Sequence, residues 1–89
     1  MTEIKITDAD TRATLGDAYP KFAYARGQMS SGDKSDPRFG SGQDGLRNLV
    51  AVFDAAANDP RASAAERAEC GRARDIVRGT LDSLESVAR

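Results

Sequence analysis

The chain has no histidine and no tryptophan, a single cysteine, two tyrosines and three phenylalanines in 89 residues. Without histidine, imidazole acid–base catalysis, a Ser/His/Asp triad and histidine metal ligation are all excluded. Cys70 alone can form neither an internal disulfide nor a thiolate metal cage. No apolar run approaches the ~18 residues of a membrane helix. Met1 leads straight into TEIKITDAD, which lacks the basic start and apolar core of a secretory signal, so the expected location is cytoplasmic and no membrane partner is expected. No GxxxxGK[ST] spacing is present, and although Gly40, Gly42 and Gly45 fall at GxGxxG spacing, no strand precedes them as a dinucleotide-binding turn requires, so no cofactor is expected. Asp33, Ser35 and Asp36 superficially suggest a calcium loop, but the glycine and closing glutamate that such a loop needs are missing, so no metal is expected either.

Charge of either sign is not in excess: 13 basic against 14 acidic residues leave a net charge of −1, which argues against a general polyanion binder. The length allows one domain, and a domain of this size buries only about 60–65% of its unfolded surface. Marginal stability follows, and self-association or a partner would relieve it.

What is present is helical periodicity. Ser63 followed by Glu66 has capping-box spacing, with Pro60 just upstream. Beyond it Cys70, Ala73, Val77, Thr80, Leu81, Leu84, Val87 and Ala88 recur at three- and four-residue steps, predicting one long helix over 61–89. Leu46, Leu49, Val50, Phe53 and Ala56/Ala57 form a second stripe, with Val52 at its edge, predicting a helix over 46–58 that Asn58-Asp59-Pro60 stops. Ser41 or Asp44 is its expected cap. The link is short, so the two helices should fold back as an antiparallel αα-hairpin.

The first part of the chain predicts a kinked helical region over 8–30. Asp8 and Asp10 suit a helix start. A break is expected near residues 16–19, with Asp17 capping a second helix that carries Pro20 in its first turn. Leu15, Tyr19, Phe22 and Met29 should then pack on the hairpin. Residues 1–7, where Ile4 and Ile6 alternate with polar residues, predict an extended arm. The fold class is therefore all-α: a small three-helix arrangement built on a C-terminal antiparallel αα-hairpin, with a short N-terminal extended arm. Residues 31–45, SGDKSDPRFGSGQDG, read as a Gly/Ser/Asp-rich loop joining the first helical region to the hairpin.

Several residues are candidates for partner binding. Phe39 and Arg38, an aromatic and an arginine in the polar loop, are residue types enriched at binding hot spots. Tyr24 lies off the apolar stripe of its helix, where an exposed tyrosine can anchor an interface. Arg67, Arg74 and Arg78 recur along one flank of the long helix as a basic ribbon, with intrahelical pairing to Asp75 and Asp82 as the plainer account. Cys70, on the apolar stripe, is expected to be a buried core thiol. Gly71 and Gly79 fall on a small-residue outer surface that would permit close helix approach.

No residue is marked as catalytic. The sequence predicts a non-enzymatic helical interaction module, such as an accessory subunit or a phage-type inhibitor that binds a larger protein or complex, with homodimerisation as a further expectation. The rival expectation is a nucleic-acid-binding regulator using the arginine-rich helix face.

Overall fold

The computed structural model describes residues 8–89, and every structural statement concerns these. The extended arm expected over residues 1–7 lies outside them. The described chain is all-α: α1 (Asp8–Leu15), a 3-10 turn (Gly16–Ala18), α2 (Tyr19–Gln28), α3 (Pro37–Ala57) and α4 (Ala64–Val87). None of these helices is long and apolar enough to cross a membrane.

α3 and α4 form the expected antiparallel hairpin. Asp54 late in α3 meets Arg74 in the first half of α4, while Gln43 and Arg47 early in α3 both meet Glu85 near the end of α4. The capping box at the start of α4 is present: the Ser63 hydroxyl accepts from the Glu66 amide at 3.1 Å, and the Glu66 carboxylate accepts from the Ser63 amide at 3.4 Å. Together they satisfy two of the amides a helix start leaves unpaired.

The first region is kinked where expected. Gly16 has a φ of 55°, a left-handed conformation that costs any residue with a Cβ about 1–2 kcal/mol. α1 and α2 are held at the kink by Tyr19, whose hydroxyl donates to Asp8 at 3.2 Å while the Arg12 guanidinium lies 5.1 Å from its ring centre. Pro20 sits in the first turn of α2, but Asp17 does not cap that helix: the cap is Ala18, with no side-chain bond. α1 leans on α4, and α2 runs along α3.

The largest correction is to the loop. Residues 31–45 are not one connection, because α3 opens at Pro37 and takes in Phe39, Gly40, Gly42 and Gly45. Asp36 is its cap, so neither Ser41 nor Asp44 is. The Asp36 carboxylate accepts from the Arg38 amide at 3.0 Å and from the Arg38 guanidinium at 3.1 Å, and Pro37 supplies a preset φ where its missing donor costs nothing. The tripeptide Asp-Pro-Arg recurs at Asp59–Arg61, where the carboxylate accepts from the Arg61 amide at 2.9 Å and its guanidinium at 3.0 Å in the turn ahead of α4. Both carboxyls are held below the usual range, first by the side-chain hydrogen bond from the arginine and then by its amide. The connection that remains, between Gln28 and Pro37, is tied to the far end of α4: the Arg89 amide donates to the Gly32 carbonyl at 2.8 Å, and the Lys34 amide donates to the Arg89 carbonyl at 3.1 Å.

Leu15, Phe22, Ala25, Met29, Phe39, Leu46, Leu49, Ala73, Val77 and Leu81 make one core that draws on every helix. Cys70, Thr80 and Val87 of the predicted stripe of α4 fall outside it, and Leu84 and Ala88 are only partly buried against it. Cys70 is half-buried rather than a core thiol, and Val87 is exposed, because α1 and α3 cover only the middle of that stripe.

α2 and α3 cross closely at Gly42. A Cβ there would stand 2.5 Å from the Ala25 carbonyl oxygen and 2.6 Å from Met29 Cγ, so only glycine lets the two backbones approach this far. Gly45, one turn on, faces the Ala25 Cβ in the same crossing.

Candidate interaction surface

The close crossing has a consequence on the outer side of the same two helices. Phe22, Ala25 and Met29 point into the core at three- and four-residue steps, which turns Tyr24 outward. Tyr24 is 72% exposed and stands over a furrow of about 390 Å³ whose floor is Ala25, Gly45 and Leu49 and whose rim includes Pro20, Lys21 and Asn48. One turn beyond Leu49 on α3, Val52 is 55% exposed. The exposed flank of α3 carries on through Ala51 and Ala55.

This strip is poor in charge although 30% of the chain's residues are charged. Between Asn48 and Ala57 the one charged residue is Asp54, and its carboxylate is turned to α4, 2.8 Å from Arg74 Nη1. Lys21, level with Leu49, is the one charged residue lining the furrow, and Asp44, just before Gly45, lies on α3 about a turn and a half from Leu49. Both are exposed, and neither has a hydrogen-bond or ion-pair partner among the described residues. An exposed tyrosine over small and aliphatic residues, with ionic groups held to the edge, has the composition of an interface core.

The other sequence-predicted site residues are scattered. Phe39 is 1% exposed, packed inside the core at the first turn of α3, so it cannot anchor a partner without unfolding. The reason is helical: once Pro37 starts α3, Phe39 falls three and seven residues before Gly42 and Leu46, on the buried face. Arg38, its neighbour, is exposed and clasped to Asp36. Arg67 and Arg74 share a shallow cleft at the turn end of the hairpin. Arg74 is neutralised there by Asp54 and by Asp75 at 3.1 Å, and these two bonds raise its affinity for its proton further. Arg67 is half-buried, with its Nε out of reach of solvent and without an acceptor. Arg78 alone of the three projects into water, beside the Arg47–Glu85 pair. The ribbon is thus a run of arginines in sequence whose middle member is occupied.

A second cleft of about 430 Å³ lies between α1 and α4, where Arg26 sits 3.6 Å from Asp8 and stacks over the Phe22 ring at 5.0 Å. Its cation already has its partners. The carboxyls with shifted acidity, exposed Asp33 and half-buried Asp36 and Asp59, are all shifted downward by hydrogen bonds, the Ser35 hydroxyl and amide acting on Asp33. That is the direction of caps and turns, opposite to the upward shift of a desolvated catalytic acid. Among the described residues no three His, Cys, Asp or Glu side chains converge as a metal site.

Sequence reasoning singled out Tyr24 as an exposed tyrosine but not the residues beside it, Pro20, Lys21, Asn48 and Val52. The available signal was the uncharged outer face of residues 48–57, not a motif. Comparison with family models, curated proteins and solved structures gives no match for this chain.

Proposed function

We propose that the protein is a non-enzymatic helical interaction module, of the kind an accessory subunit or a small inhibitor represents, and that it docks on a larger protein or complex through the outer face of α2 and α3. The observation that carries this reading is the charge-poor strip beneath Tyr24: an exposed aromatic and an exposed valine set among small residues, in a chain whose other exposed helix faces bear charges at nearly every turn. Tyrosine contributes large contact area for little lost side-chain freedom, and interface cores exclude ionic groups. The close packing behind the strip, set by Gly42 and Gly45, makes it a rigid surface that loses little entropy on binding.

The test is capture by the tagged full chain in a lysate of its source, compared with the Tyr24→Asp/Val52→Asp variant. Recovery of one protein in stoichiometric amount by the wild type and not by the variant is the expected result. Turnover of a small molecule by the purified chain, abolished by a single carboxylate substitution, would overturn the non-enzymatic reading.

A further inference from the structure

Lys21, in the furrow's lining, and Asp44, exposed beside Gly45 on α3, are of opposite sign and stand at different levels along the strip. α2 runs antiparallel to α3, with Gln28 and Met29 beside Gly42, Ala25 beside Gly45, and Lys21 beside Asn48 and Leu49. Lys21 is therefore level with Leu49, and five residues of α3, roughly 7.5 Å at 1.5 Å per residue, separate that level from Asp44. Tyr24, next to Ala25, lies between the two. A surface that is positive at one end, negative at the other and apolar in the middle is complementary to itself when turned end for end.

We infer that the strip takes a second copy of this chain, in an isologous dimer whose two-fold axis lies in the interface, crosses the strip and passes near Tyr24. This rests on the reading of the strip as an interaction surface. A two-fold placed this way sets the strips antiparallel, so that each copy's Lys21 faces the other's Asp44 and the pair forms twice. The two Tyr24 rings meet near the axis over the floors made by Ala25, Gly45 and Leu49. A two-fold along the strip would instead set lysine against lysine and aspartate against aspartate, and like-charge contact suppresses that arrangement. Dimerisation also covers apolar area in a domain small enough to be marginal alone.

Sedimentation equilibrium of the full chain over a concentration series tests this, with circular dichroism melts showing that each surface variant is folded. The wild type should show a reversible monomer–dimer equilibrium. Lys21→Glu and Asp44→Lys should each weaken it by about tenfold or more, since each replaces two attractions with two repulsions. The double variant Lys21→Glu/Asp44→Lys should return to within about threefold of the wild type, because the swap restores both pairs. A chain that stays monomeric to millimolar concentration, or a double variant no better than the singles, overturns the dimer. If the monomeric wild type captures a partner that the Tyr24→Asp variant does not, the strip reading survives the dimer's failure. If the chain dimerises equally well in all these variants and in Tyr24→Asp, the dimer forms through another face and the inference falls, while the strip reading falls only if Tyr24→Asp also captures the partner as the wild type does.

Discussion

Adding one methyl group at Gly42 should weaken the fold, whereas adding the same group at Gly79 should strengthen it. Both glycines are inside helices, so Gly→Ala gains up to about 1 kcal/mol of helix propensity at either site. At Gly79 nothing lies within 4 Å of the new Cβ, and the gain should appear in full. At Gly42 the methyl would meet the Ala25 carbonyl oxygen at 2.5 Å, Met29 Cγ at 2.6 Å and Gln28 Cβ at 3.1 Å. Met29 can rotate, but a backbone oxygen inside α2 cannot move without moving the helix. Overpacking of this kind costs about 1–3 kcal/mol, and more where backbone must shift, so the net effect is a loss of roughly 1–2 kcal/mol. For a domain of 60–100 residues each kcal/mol moves Tm by about 4–8 °C. Thermal unfolding followed by circular dichroism should therefore show Gly42→Ala lower by roughly 5–15 °C and Gly79→Ala higher by a few degrees. Equal stabilisation at both sites would refute the close crossing, and with it the rigid floor beneath Tyr24.

Three further outcomes are expected. Phe39→Ala should cost about 3–5 kcal/mol, as truncation of a buried ring does, and show as a collapse of Tm; an unchanged Tm would return Phe39 to the surface. The carboxyls of Asp33, Asp36 and Asp59 are lower in the folded chain than the 3.8 of an unperturbed aspartate, so the stability they contribute is present above that value and lost as pH falls through the folded values. Melts from about pH 5 down to pH 2 should show this decline, and Asp36→Asn/Asp59→Asn should flatten it; an equal slope in that variant would contradict the assignment. Because Arg74 is already paired with Asp54 and Asp75, mobility shifts with DNA and RNA should show no steeply salt-dependent complex; a shift at low salt that Arg67→Ala/Arg78→Ala removes would favour the nucleic-acid reading.

The hairpin was legible in the sequence because its signals are local. Ser63 and Glu66 specify a helix start whatever surrounds them, and the three- and four-residue apolar steps of α4 need no knowledge of a partner helix. The kink at Gly16 was legible for the same reason. The start of α3 was not, since four glycines between Gly32 and Gly45 imitate a loop while two of them serve a helix crossing, visible only once Ala25 and Met29 are opposite. The Asp-Pro-Arg tripeptide at residues 36–38 did carry a helix-start signal, an N-cap carboxylate followed by proline. Its repetition at residues 59–61, where a stop was read correctly, shows that the same three residues can close one element and open another. Phe39 followed from that error, because an aromatic placed in a polar loop looks like an anchor and one placed on the third residue of a helix is core. Tyr24 was recognisable from its angular position alone. Its companions on α3 were not, because what marks Asn48, Ala51, Val52 and Ala55 is the absence of charge on one flank, which acquires meaning only beside α2.

Which surface works is measured most directly by a chemical-shift map. Amide spectra of the ¹⁵N-labelled chain, recorded from dilute to concentrated solution and again with the protein it captures, report all the non-proline residues of the helices at once. The account predicts that the largest changes fall at Lys21, Tyr24, Asp44, Asn48 and Val52, on the outer face of α2 and α3, with the flank from Arg67 to Arg78 silent. Changes centred on that flank or on Arg38, with the α2 and α3 face unmoved, would contradict it.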